Sequence, residues 1–186
     1  MGSSESILSA EQLDEYAELT YLTRWEVLLI LKKLQALAPQ DGLRQDLHRR
    51  FSGRKIMDVF PQLKYNPFRD QLFKVFSSAR DTRCSFEDIL DMFSVMSKNC
   101  PHHVKAAWAF RIFDFDNDNM ITKEDIFTTC DRLTKYDQLN RDEKENIAEV
   151  ILKEMDLHNN GSLSEFEFIH VIAKVPEFHH AFTFKP

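Results

Sequence analysis

The stretch "FDFDNDNMITKED", Phe113 to Asp125, alternates carboxylates with spacers, then sets an apolar residue before a polar run that ends in an acid. Its last twelve residues, "DFDNDNMITKED" (Asp114 to Asp125), align with "DLHNNGSLSEFE" (Asp156 to Glu167). A loop of this length wraps a calcium ion with side chains at positions 1, 3 and 5, the backbone carbonyl of 7, often a water at 9, and an acid at 12. The apolar residue at position 8, Ile121 or Leu163, is expected to pair with its counterpart in a short two-stranded contact, which explains why such loops come in twos. A single loop could be a solvated acidic turn; a second at matched spacing favours paired helix–loop–helix units.

The first loop supplies Asp114, Asp116 and Asp118 at positions 1, 3 and 5, the carbonyl of Met120 at 7, and Thr122 at 9. Position 6 needs a left-handed backbone, which Asn119 tolerates as one of few residues other than glycine. Asp125 is one methylene shorter than the usual closing glutamate and is expected to give one oxygen. Fewer ligands suit a smaller, six-coordinate ion, so magnesium occupancy with calcium competing is the expectation. The second loop keeps Asp156, Gly161 and Glu167, with Asn160 at position 5 and Ser162 at 7. His158 at position 3 is a poor ligand for a hard cation. Two carboxylates remain against four, and the reach of Glu167 leaves weak calcium binding open. No second histidine or cysteine stands where a zinc site would need it.

The bulk numbers agree with a helical protein. Only 4 glycines and 6 prolines in 186 residues leave little material for hairpins. The chain is 43% apolar and 29% charged, with 16 phenylalanines that call for a large aromatic interior. Residues 101–186 hold 10 Lys/Arg against 16 Asp/Glu and so supply the whole net charge of −6. That acidic half fits cations and argues against nucleic acid. Cys84, Cys100 and Cys130 have no C-x-x-C spacing and read as reduced thiols of a cytosolic protein. No apolar run approaches a membrane span, and no secretory signal is evident.

Capping pairs mark helix starts at Ser9 with Gln12, Thr23 with Glu26, Asn140 with Glu143 and Ser164 with Glu167. The expected helices run over 10–19, 24–38, 67–76, 86–97, 103–113, 123–133, 141–155 and 165–173. The segment from Ala38 to Lys55 is polar and aperiodic, and "SKNCPHH" (Ser97 to His103) is a candidate boundary. "SSARDTRCSFED" (Ser77 to Asp88) keeps the loop frame, with Cys84 at the apolar position, Ser85 as cap and Asp88 at position 12. Ser77 and Ala79 replace the acids at positions 1 and 3, so this loop is expected to fold without an ion. The stretch after Ala38 is then a first, more eroded member. The fold expected is all-α: two lobes of paired EF-hands, as in the calmodulin-like superfamily, with two-residue β contacts between paired loops. The lobes cover 1–98 and 103–175, and a tail covers 176–186.

"LDEYAELTYLTRWEV" (Leu13 to Val27), "NPFRDQLFKVFS" (Asn66 to Ser77), "SFEDILDMFSVMS" (Ser85 to Ser97), "AFRIFDFDNDN" (Ala109 to Asn119) and "VPEFHHAFTF" (Val175 to Phe184) closely resemble the calcium- and integrin-binding family. The resemblance implies a non-enzymatic adaptor whose first two hands are silent and whose last two bind Ca2+ or Mg2+. The third hand of that family ends in aspartate, as at Asp125, whereas His158 and Asn160 depart from its usual acids. Implied partners are helical segments of integrin cytoplasmic tails, kinases, and channel subunits of the mechanotransduction complex.

The residues suggest the same mechanism. Helices 103–113 and 165–173 carry more apolar residues than one buried stripe requires. Trp108, Phe110, Phe113, Phe168, Ile169 and Ile172 are candidates for a groove that takes an amphipathic helix, although excess width also serves a core. Phe178 and Phe182, four apart beyond Pro176, are expected to lie in that groove as a removable plug. "MGSSES" fits N-myristoylation at Gly2, with Ser6 in place. One acyl chain anchors marginally; Arg44, Arg49, Arg50, Arg54 and Lys55 offer a basic second signal, or a solvated face. A peripheral position at the inner face of the plasma membrane follows, as a monomer or weak dimer. No phosphate loop or nucleophile motif suggests an enzyme. A passive calcium buffer and a phosphatase regulatory subunit like calcineurin B are the rival readings.

Overall fold

The structure is a computed structural model, described here for residues 7–38, 46–135 and 138–186. The described residues form eleven helices: α1 (Ala10–Leu19), α2 (Arg24–Gln35), α3 (Gly53–Val59), α4 (Pro61–Lys64), α5 (Arg69–Phe76), α6 (Phe86–Met96), α7 (His102–Phe113), α8 (Lys123–Leu133), α9 (Arg141–Met155), α10 (Glu165–Ile172) and α11 (Pro176–Ala181). Two strands of two residues, β1 (Phe51–Ser52) and β2 (Arg83–Cys84), pair antiparallel with Phe51 opposite Cys84. A lone antiparallel bridge joins Ile121 to Leu163. The all-α expectation with short contacts between paired loops is met.

Capping chemistry sets where helices begin. Six helices (α1, α2, α6, α8, α9 and α10) start in reciprocal boxes, from Ser9–Gln12 to Ser164–Glu167. Each box satisfies two backbone amides, those of the N-cap and of the third helical residue, stabilising the helix start by about 1 kcal/mol. Helix α2 stops at Gln35 rather than Ala38, because its last residues close as tight turns, with the Leu37 amide donating to the Leu34 carbonyl. The polar stretch, read in the sequence as a loop with a short helix in it, ends in the start of α3, and α4 lies beyond it. Serine at 52 caps without a side-chain bond, and Pro61 starts a helix of only four residues.

The chain divides into two compact units, 1–100 with 183–186, and 101–182. In the first, α2 buries Val27, Ile30, Leu31 and Leu34, a period that keeps one face inward. Helix α6 is buried almost all round, with Phe86, Ile89, Leu90, Met92, Phe93 and Met96 in the core. The segment 176–186 does not behave as one tail. Its last four residues count with the first unit: the Phe184 amide donates to the Met96 carbonyl, and its ring stands edge-on to Phe93 at 5.6 Å. In the second unit Ala109, Phe110, Ile121, Ile126, Ala148, Leu152, Leu163 and Phe168 form the core. The three cysteines are buried thiols. No helix among the described residues is long and apolar enough to cross a membrane.

The loop before α6 holds Thr82 at φ +66°, a left-handed conformation that a β-branched residue resists. Such strain costs roughly 1–2 kcal/mol, and Thr82 is exposed, so its side chain contributes little packing. Replacing it with glycine (Thr82→Gly) should raise the urea midpoint, worth about 1 kcal/mol. A midpoint at or below that of the wild type would show that the threonine is held without strain.

Candidate metal centre and aromatic face

Loop 114–125 follows α7 and leads into α8. Asn117 and Asn119 take φ +62° and +67°, which curls the chain so that its amides and carboxylates face inward. Asn119 thus adopts the conformation expected at the sixth position. The Asp114 carboxylate accepts from the Asp118 amide at 3.2 Å and the Asn119 amide at 3.0 Å. Asp118 accepts from the Met120 amide at 2.8 Å. Carboxylate oxygens of Asp114, Asp116 and Asp118 lie within 4.8 Å of one another. Like charges that close repel by about 1–4 kcal/mol per pair, depending on exposure. Burial raises the pKa of Asp114 above the ordinary carboxylate range, against the smaller opposing pull of the Asn119, Asn117 and Asp118 amides. A divalent cation would relieve both effects at once.

Asp125 closes the loop with both oxygens. One accepts from the Phe115 amide at 3.0 Å, the other from the amide and hydroxyl of Thr122 at 2.9 Å each. The side chain is buried. It therefore ties the second loop position to the ninth while capping α8, so the closing acid is also the helix cap.

Loop 156–167, between α9 and α10, repeats the scheme. Asp156 accepts from the Asn160 amide at 3.2 Å and the Gly161 amide at 2.8 Å, and Asn159 and Gly161 take φ +54° and +83°. Asn160 accepts from the Ser162 amide at 3.0 Å and its hydroxyl at 2.9 Å. Glu167, fully buried, accepts from the Leu157 and His158 amides and from the amide and hydroxyl of Ser164. Its Oε1 also lies 2.7 Å from His158 Nδ1. The ring that spoils the third ligand position instead engages the closing acid. Sequence reasoning marked His158 only as a poor ligand, because nothing in the spacing showed where the ring would turn. The two loops meet through the Ile121–Leu163 bridge, with both N–H···O bonds at 2.8 Å.

An aromatic face lies on the same unit. The Phe168 ring sits 5.8 Å from Phe110 and 6.1 Å from Phe113. Phe182 sits 6.4 Å from Phe113 and stacks on Phe178 at 5.1 Å. Ile172, Phe178 and Phe182 are half-buried against the core. Phe178 in α11 and Phe182 just beyond it thus pack against the core of this unit, Phe182 next to Phe113 of α7. The Arg111 guanidinium lies over the Trp108 ring, 4.9 Å from it, and Ile169 is half-buried. Phe166 is 69% exposed. Gly2 and Arg44 lie outside the described residues. Arg50, grouped in the sequence with a basic patch, has its guanidinium engaged by Ser77, Asp81 and the Arg83 carbonyl.

Comparison with known proteins agrees with this geometry. The model of the EF-hand domain pair matches residues 104–173, which span both loops and their helices. The chain is 35% identical over 182 residues to calcium and integrin-binding family member 2 of Drosophila melanogaster, covering 96% of each. It is 36% identical to family member 2 of Danio rerio over 181 residues, again 96% of each chain. To family member 3 of Homo sapiens it is 34% identical over 183 residues, with 96% of each covered.

The hydroxyl of Ser164, followed by its amide and by His158, outweighs burial and lowers the Glu167 pKa from 4.5 to about 2. A carboxyl whose folded pKa is lowered adds stability that is complete above its unfolded pKa and is lost as pH falls toward the folded one. In chelator, the stability gap between wild type and Glu167→Gln should therefore be full at neutral pH. It should close between about pH 4.5 and about 2, as followed by denaturant melts. A gap that does not change with pH would remove the ionised carboxylate from the account.

Proposed function

The chain belongs to the calcium and integrin-binding family, and on that premise we propose that it is a non-enzymatic regulatory adaptor. Its second unit binds Ca2+ and Mg2+, and its aromatic face receives an amphipathic helix from the cytoplasmic part of a membrane protein. The observation that carries the reading is the convergence of Asp114, Asp116 and Asp118 in a loop closed by Asp125. Hard oxygen donors on a backbone already curled toward them suit Ca2+ and Mg2+ rather than zinc or copper. Loop 114–125 is the stronger site, and its short closing acid favours Mg2+ at rest. Loop 156–167 is the weaker, since His158 competes for Glu167.

The family name of its relatives pairs calcium with integrin, and an integrin cytoplasmic tail is the first partner we propose. A mechanotransduction channel subunit and kinases are further candidates with helical segments of the same kind. Myristoylation at Gly2 would add a single acyl chain, enough for reversible, peripheral binding at the inner face of the plasma membrane when a bound membrane protein supplies the second hold. The protein is expected to act as a monomer or weak dimer. Half-burial of Phe178 and Phe182 against Phe113 and the core supports α11 as the removable plug.

Calorimetry on chelator-treated protein should give saturable heat with Mg2+ and with Ca2+, and Asp118→Asn should weaken the tighter event at least tenfold. Unchanged heats in the variant would place the ion elsewhere. An integrin-tail helix peptide should bind more tightly after deletion of 176–186, and more tightly with ion than with chelator. Ion heats with no peptide binding in either form would leave a passive buffer as the better reading.

A further inference from the structure

We propose that loop 77–88 is a filled cation site whose cation is the Arg50 guanidinium, so that the first unit keeps its paired loops shaped without calcium or magnesium. The register of the short sheet supplies the frame. Cys84 is the eighth residue of loop 77–88 and lies opposite Phe51. Phe51 is therefore the eighth residue of a preceding frame, 44–55, with Ser52 ninth at the start of α3 and Lys55 at the place of the closing acid. In this alignment Arg50 and Arg83 both stand seventh, where an ion-binding loop turns its backbone carbonyl to the metal.

The Arg50 guanidinium meets the loop 77–88 positions that would face an ion. Nη2 donates to the Ser77 hydroxyl at 2.7 Å, to Asp81 Oδ1 at 2.8 Å and to the Arg83 carbonyl, and Nη1 donates to Asp81 Oδ2 at 3.3 Å. Asp88 Oδ2 lies 3.9 Å away. These are the first, fifth, seventh and twelfth positions; the third is Ala79, which has no donor atom to offer. The exchange is mutual, for Arg83 Nη2 donates to the Arg50 carbonyl at 3.1 Å. Each seventh-position carbonyl accepts from the arginine of the other strand.

The backbone agrees. Arg80 and Thr82, fourth and sixth in the loop, take φ +55° and +66°, matching Asn117 and Asn119 in the acidic loop. Neither residue type favours that region, so an external hold is required, and the planar fork of a guanidinium suits it. Asp88 ties the ends as Asp125 does, accepting from the Ser78 amide at 3.1 Å and the Ser85 amide at 2.9 Å. With one positive charge fixed between Asp81 and Asp88, a divalent ion can enter only by expelling Arg50.

Hydrogen–deuterium exchange on the full chain tests this within the first unit, independently of ion binding in the second. Wild-type protection of 77–88 should be the same in chelator and in millimolar Ca2+. Arg50→Gln should exchange at least tenfold faster there, with no recovery in Ca2+, and Arg50→Lys, which keeps charge but not the fork, should fall between. Wild-type protection in Arg50→Gln, or protection of 77–88 that Ca2+ increases in the wild type, would overturn the proposal. Should Arg50→Gln also strip protection from α6, Asp81→Asn decides by the same reading. Faster exchange confined to 77–88 supports a guanidinium-held loop, and wild-type protection rejects it.

Discussion

A chain that folds back on itself within twelve residues brings its carboxylates and inward amides to one small volume, and that volume needs positive charge at its centre. Each described loop meets the need differently. Loop 114–125 gathers Asp114, Asp116 and Asp118 and so calls for a divalent ion from outside. Loop 156–167 has lost the acids at its third and fifth positions and turns the His158 ring onto Glu167 at 2.7 Å. Loop 77–88 has lost two acids, and the Arg50 fork sits among the oxygens that remain. Loop 114–125 keeps four acids at the ligand positions and the other two loops keep two each, and in both of those a side-chain nitrogen engages a remaining acid.

The closing acid couples that centre to the helix that follows. Asp88, Asp125 and Glu167 each accept from the amide of the second loop residue and from that of the ninth. The same oxygens that would grip an ion therefore cap α6, α8 and α10. An ion pulling on Asp125 competes with the Thr122 and Phe115 amides, so binding there must adjust the start of α8. That link requires only one carboxylate with two claims on it, which gives an aspartate at the twelfth place mechanical weight despite its shorter reach.

What the sequence made legible was local. Caps such as Asn140–Glu143, the left-handed tolerance of Asn119 and the eighth-position pairing of Ile121 with Leu163 depend on residues at fixed spacing, and the structure has all three. Arg50 was invisible as a loop occupant because its reach to Ser77 and Asp81 crosses about thirty residues of chain, and only the Phe51–Cys84 register reveals it. The segment 176–186 divides for a related reason. Its phenylalanines share a composition, yet Phe182 packs on Phe113 while Phe184 stands on Phe93, a division no periodicity encodes.

The two units thus differ in what holds their loops. In the first, the cation is covalently part of the chain, so its concentration at the site is fixed whatever the ionic conditions, and Arg50 and Arg83 tie the loop pair through each other's carbonyls. In the second, the carboxylates of Asp114, Asp116 and Asp118 converge on backbone amides, and the proposed ion would come from outside the chain. On the function proposed, one unit would be constant and the other conditional on ion. The aromatic face belongs to the conditional unit, since Phe113 is the residue immediately before Asp114 and Phe168 immediately follows Glu167. A shift of Asp114 or Glu167 toward the proposed ion would act next to these rings, so the residues proposed to bind metal and those proposed to bind a partner are neighbours along the chain.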